Sequence, residues 1–182
     1  LPTSGTLTLS GVAVTLNQSI AVANLGNLVF TPAANANGAS YASIGFKVQD
    51  NGGTANSGVD TSVAANTLTI NVTAVNDAPT AANKTITISE DGSKTFAAAD
   101  FGFADVDGNA LSAVIITTLP TSGTLTLSGV AVTLNQSIAV ANLGNLVFAP
   151  AANASGMGYA SIGFKVQDNG GIANGGVDTS AT

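Results

Sequence analysis

The chain has 182 residues, 45% of them hydrophobic and only 8% charged, with a formal net charge of −6. That composition supplies a core and carries too little charge for a disordered acidic tail. The acidic balance argues against nucleic acid and anionic membrane surfaces. The absence of His and Cys removes disulfides, thiolate metal sites and the usual nucleophile–base pairs.

In chain order, the first apolar runs are Thr6-Leu7-Thr8-Leu9 and Val12-Ala13-Val14-Thr15-Leu16. Both alternate with period two, the pattern of half-buried strands. Ser10-Gly11 between them reads as a tight hairpin turn. Ser19 is placed to cap a short helical turn over 20–25, closed by Gly26. Ile44, Phe46 and Val48 then alternate with Ser43, Gly45 and Lys47, followed by strands expected at 67–72 and 85–88. Clusters of Gly, Asn and Asp at 35–38, 50–53 and 107–109 punctuate the runs. No run of 18 apolar residues is present, so no membrane insertion is expected. The expected fold is all-β, an immunoglobulin-like sandwich of about seven strands per repeat.

The chain repeats itself. Residues 1–30 recur without change at 119–148, and 1–64 differs from 119–182 at eight positions, leaving 64 − 8 = 56 identities. Such spacing fits a tandem array of independent domains. The frame is set at Asn76-Asp77-Ala78-Pro79, where Pro79 stops ladder pairing. It gives a first unit at 1–76, the C-terminal part of a repeat, and a second at 77–182, lacking its last strand. The chain is therefore expected to be a piece of a longer protein. An open edge is expected near Ile162 to Val166, unpaired or filled by another copy.

Several short motifs carry a resemblance. Val75-Asn76-Asp77-Ala78-Pro79 resembles the Asn-Asp-x-x-Pro linker of cadherin-like repeats, and 104–111 (ADVDGNAL) resembles their Asp-x-Asp-x-x-Asn-x-Leu segment. Val48-Gln49-Asp50-Asn51-Gly52-Gly53 and its copy at 166–171 resemble the Val-x-Asp-x-Gly end of the sixth strand. Ser89-Glu90-Asp91 resembles the acidic turn after the first strand. The Leu-Pro-x-x-Gly-x-Leu stretches at 1–7 and 119–125 resemble chondroitin-sulfate-proteoglycan-type repeats. Taken together, the chain resembles the bacterial cadherin-like, Ig-like tandem repeats of giant RTX-type adhesins. The cadherin pattern places an acidic Asp-x-Glu before the sixth strand. Here 35–41 holds no carboxylate, so a full three-ion junction is not expected.

The resemblance implies one Ca²⁺ ion at the junction. Its implied ligands are the Asn76 side chain, the Ala78 carbonyl, Asp105, Asp107 and Asp168, with the Asn109 region closing the shell. Asp77 and Glu90 would serve separate or weaker sites, and Asp50 holds the place of Asp168 in the first repeat. Asp and Asn are hard oxygen donors suited to this ion; they are equally good turn formers. Lys47 and Lys165 read as solvent-facing charges that discourage edge pairing, rather than isopeptide partners. Thr-x-Thr runs read as outward strand positions, rather than an ice-binding array. Tyr41 and Tyr159 read as core corners. The functional expectation is a non-catalytic extender of a secreted or surface-attached bacterial adhesin. Its partners would be neighbouring repeats of the same polypeptide, and other copies at open sheet edges. The alternatives are a homotypic or glycan-binding adhesive module and a filament or sheath subunit.

Overall fold

The computed structural model describes residues 1–181, which form two compact units, Leu1–Ala74 and Val75–Thr182. In the first, β1 (Thr6–Leu9), β2 (Val12–Ala13) and β3 (Leu28–Thr31) make an antiparallel sheet in the order β2-β1-β3. Ser10 and Gly11 both take positive φ, 50° and 81°, which the mirror-image hairpin turn requires. The expected turn over 20–25 shifts: a 3-10 helix runs Val22–Asn27, with Ala21 and not Ser19 at its N-cap. Gly26 lies inside that helix, and the Leu28 N–H closes it by donating to the Leu25 carbonyl.

A second sheet pairs β4 (Gly38–Phe46) with β5 (Asn66–Val72), antiparallel, with Ile44 opposite Leu68 and Ala42 opposite Ile70. Val48 falls outside β4. Among the described residues of this unit, only Leu7 and Ala42 are buried hydrophobics. Leu68 on β5 is 54% exposed, so the apolar face of β5 has little to pack against.

The second unit holds β6 (Lys94–Thr95), β7 (Leu111–Thr118), β8 (Thr124–Leu127), β9 (Val130–Ala131), β10 (Ser137–Ala139), β11 (Leu146–Ala149) and β12 (Gly163–Asp168). They form two antiparallel sheets, β10-β7-β12 and β6-β11-β8-β9. The inward positions of both sheets make one core that includes Val114, Ile116, Leu125, Ile138, Phe148 and Val166, the packing of a β-sandwich. Phe101 enters it from a 3-10 helix and meets Phe164 edge-on at 5.0 Å between ring centroids. This core explains why the same repeat sequence is better buried here than in the first unit.

The Tyr hydroxyl contact recurs in both copies, but only Tyr159 packs against a core. The Tyr41 hydroxyl accepts from the Ala33 N–H at 3.0 Å, and Tyr159 does the same for Ala151 at 3.1 Å. Each ties the approach to the sixth strand back to the preceding loop, as the tyrosine corner of Ig-like sandwiches does.

Two expectations are corrected. Residues 85–88 alternate like a strand but join no sheet, because alternation sets the faces of a strand while a ladder needs a neighbour. The edge of β12 is not wholly open: the Ser180 N–H donates to the Val166 carbonyl at 2.9 Å, and Gln167 bridges Thr179. The unpaired stretch lies earlier, over 156–162, which forms no strand.

Candidate functional site

The site forms where the inter-unit linker, the 104–109 loop and the end of β12 meet. The linker is laid down by backbone pairing. The Thr80 N–H donates to the Ala104 carbonyl at 2.7 Å, and the Ala104 N–H returns to Thr80 at 3.0 Å. Pro79 beside this bridge is fully buried. The bridge places Asn76 and Asp77 alongside Asp105 and Asp107.

Asp168 closes β12 and is 3% exposed. Its Oδ1 accepts from the Gly170 N–H at 2.8 Å and from Asn76 Nδ2 at 3.0 Å; its Oδ2 accepts from Asn76 Nδ2 at 3.2 Å. The same amide nitrogen donates to the Val177 carbonyl at 2.9 Å, and the Val177 N–H returns to the Asn76 carbonyl at 2.9 Å. Asn76 Oδ1 accepts from Asn109 Nδ2. The Asn109 N–H donates to Asp105 Oδ1 at 2.8 Å, and the Asp77 N–H donates to Asp107 Oδ2 at 2.7 Å. A buried carboxylate is tolerable only when donors surround it, and Asn76 is the side chain that supplies them here.

The structure thus gathers Asn76, Asp77, Asp105, Asp107, Asn109 and Asp168 at one pole. Ala78 is exposed beside them. Glu90 does not join them. It is exposed in a turn closed by the Gly92 N–H to the Ser89 carbonyl at 3.0 Å, and its neighbour Asp91 accepts from the Asn153 N–H. Asp50 belongs to the first unit. It accepts from the Gly52 N–H at 2.7 Å just as Asp168 does from Gly170, but it is exposed.

Sequence reasoning missed three contributors. Asn169 Oδ1 accepts from the Ala110 N–H at 2.9 Å. The Asp178 carbonyl accepts from the Asp168 N–H, while its Oδ2 accepts from Gln167 Nε2. Gly170 packs so tightly that a Cβ built on it would overlap the Asn76 carboxamide. The signal for all three lay in the repeated segments 49–60 and 167–178, where Gln, Asp-Asn-Gly-Gly and Gly-Val-Asp recur together.

Asp105 Oδ2 is buried and has no hydrogen-bond partner, which favours a ligand. Asp105 Oδ1, Asp107 Oδ2 and both Asp168 oxygens accept hydrogen bonds, and the Asn76 nitrogen, not its oxygen, faces Asp168. Among the described residues, no group of three or more Asp, Glu, His or Cys converges to hold a metal. The pole is therefore held by direct hydrogen bonds, with Asp105 Oδ2 as its buried, unpartnered carboxylate oxygen.

A two-sheet β-sandwich with a polar network at its linker pole defines an Ig-like module of a tandem array. The family model described as "Bacterial Ig domain" matches residues 76–180, and the chain belongs to that family. No curated protein and no solved structure matches it.

Proposed function

We propose that this chain is a non-catalytic extender segment of a large bacterial adhesin, secreted or held at the cell surface. The observation that carries the reading is the repeat itself: two near-copies, 56 of 64 positions identical, with a polar network in the second unit that holds the linker leading into it. An array gains length from such copies, whereas a catalyst gains nothing from them. Bacterial Ig domains are common in surface proteins, which supports the location. No helix among the described residues is long and apolar enough to cross a membrane.

Calcium is the ion proposed for the pole, and its support is the unpartnered Asp105 Oδ2. Asp105, Asp107, Asp168 and Asn76 would hold it, with Ala78 and Asn109 completing the shell. Bound to the folded pole, it would stabilise by mass action, about 2.7 kcal/mol at 100 times its dissociation constant. The test is a melting curve of the chain with calcium and with a chelator, beside Asp105→Ala. A calcium-dependent rise lost in the variant supports the ion; identical curves for the parent chain under both conditions remove it.

The extender reading is tested on the chain itself with panels of glycosides, peptides and esters. Turnover of any of them overturns it. A second reading, lateral adhesion, is favoured by one recurring patch. Val12 and Val130 occupy the same repeat position on a sheet edge, each 72% exposed, with Leu16 and Leu134 exposed after them. Replacing all four with Ser should leave an extender unchanged and abolish homotypic adhesion.

A further inference from the structure

Five Asn-x-Ser/Thr triplets stand in the chain, beginning at Asn17, Asn71, Asn83, Asn135 and Asn153. This triplet is the acceptor of N-linked sugar and belongs on a surface turn. Asn17-Gln18-Ser19 recurs at 135–137, whereas the counterpart of 153–155 reads Asn-Ala-Asn at 35–37. In both copies the repeated Asn stands at the tip of one tight turn. The Gln136 N–H donates to the Thr133 carbonyl at 3.1 Å, and Gln136 Oε1 accepts from the Thr133 N–H at 2.8 Å. The first unit repeats both bonds between Gln18 and Thr15, at 3.2 and 2.9 Å. Asn17 and Asn135 take the third turn position with φ of 61° and 62°, a conformation that Asn tolerates. Both residues are exposed. The turn is held by its Gln and its backbone, and the Asn carboxamide takes no part in either bond. Asn71 differs: its Oδ1 accepts from the Ser40 N–H at 2.7 Å.

We propose that Asn17 and Asn135 each carry an N-linked sugar, one per repeat. In the transfer, Asn Nδ2 bonds to C1 of a sugar activated on a phosphate. The C1–O bond to that phosphate breaks, and the phosphate group leaves with the electron pair. The amide proton goes to a base of the transferase. Because the turn tip is exposed in both copies, the attached sugar displaces no core side chain.

The neighbourhood gives the sugar a physical task. Residues 1–46 and 112–164 contain no charged side chain. β2 and β9 are edge strands within those stretches, and Val12, Val130, Leu16 and Leu134 are exposed on or just after them. Natural edges are blunted by short strands and by charge. Here each edge strand is two residues long, so the backbone is guarded, but no charge guards the apolar side chains. A bulky, hydrated group on the residue after Leu16 and Leu134 fills that role. It also covers the patch that lateral adhesion would use. This inference rests on the proposed surface location and on no other part of the extender reading.

The first arm of the experiment uses the full chain, a purified transferase that reads Asn-x-Ser/Thr, and a nucleotide-activated hexose. Cleavage after Lys47, Lys94 and Lys165 releases peptides 1–47 and 95–165, which separates the two copies. Fragmentation mass spectrometry should place a hexose on Asn17 in the first and on Asn135 in the second. Ser19→Ala with Ser137→Ala should abolish both additions while keeping both Asn residues. Modified and bare chains should melt at the same temperature. The second arm maps the same peptides in protein taken from the surface of the cells that make it, where both should carry sugar. A single hexose there marks a nucleotide donor and a longer oligosaccharide a lipid-linked one, and either supports the inference. Bare Asn17 and Asn135 on surface protein overturn it and leave the location standing. No addition at either position in the first arm, or a modified chain that melts lower, overturns it as well. Protein found only inside the cell overturns the location and this inference with it.

Discussion

Removing Asn76 is the sharpest probe of the linker pole. The substitution Asn76→Ala deletes the Nδ2 donor shared by Asp168 and the Val177 carbonyl, and the Oδ1 acceptor of Asn109. A hydrogen bond to a charged group is worth about 1.5–3 kcal/mol and a neutral one about 1 kcal/mol. The three partners share one side chain, so simple addition overstates the loss. What remains decides the size of the effect: a carboxylate 3% exposed, with the Gly170 N–H as its one remaining hydrogen-bond donor. A loss of about 3 kcal/mol is expected. For a unit of this size, that lowers the melting temperature by about 10–20 °C. The assay is urea denaturation of the full chain in chelator, with Asn24→Ala on an exposed 3-10 helix as control. A midpoint shift for Asn76→Ala no larger than that of the control would refute the argument that the side chain holds the pole together.

Gly170→Ala should cost at least about 2 kcal/mol, because its Cβ overlaps Asn76; Gly52→Ala, at the same repeat position, meets only the Asp50 carboxylate at 3.1 Å and should cost less than about 1 kcal/mol. Equal losses in paired denaturation curves would contradict the role given to the linker. Ile116→Ala removes a fully buried side chain and should destabilise the second unit by about 2–5 kcal/mol, read as lost cooperative melting of that unit. At Asp100, burial pushes the carboxyl up, but hydrogen bonds from Lys94 and the Ala97 N–H, with the charges of Lys94 and Lys84, outweigh it and leave the folded value below the usual one. A lowered folded value gives stability that is present above the unfolded carboxyl range, near pH 4, and is lost as pH falls through the folded value. Asp100→Asn should therefore be less stable than the parent at neutral pH, with the gap narrowing below about pH 4; a gap constant with pH would count against the ion pair.

The local chemistry was legible in the chain. Period-two alternation announced β1, β5 and β8, Ser10-Gly11 announced a hairpin with two positive φ values, and the duplicated Tyr announced a corner in each unit. These features depend on contacts within a few residues, or on faces fixed by the pleat. The linker motif and the Asp-x-Asp loop likewise named most of the pole, because turn-forming side chains bond their near neighbours.

Tertiary structure decided the rest. Asp50 and Asp168 sit in the same sequence and make the same turn, yet one is exposed and the other 3% exposed. The difference comes from Asn76 and the 104–109 loop, which pack on only one of them. Residues 85–88 alternate as cleanly as Thr6–Leu9 but form no ladder, and 156–162 loses the strand that its copy keeps in β4. A strand's faces are written in its own side chains. Its hydrogen bonds belong to a neighbour, and identical segments with different neighbours become different structures.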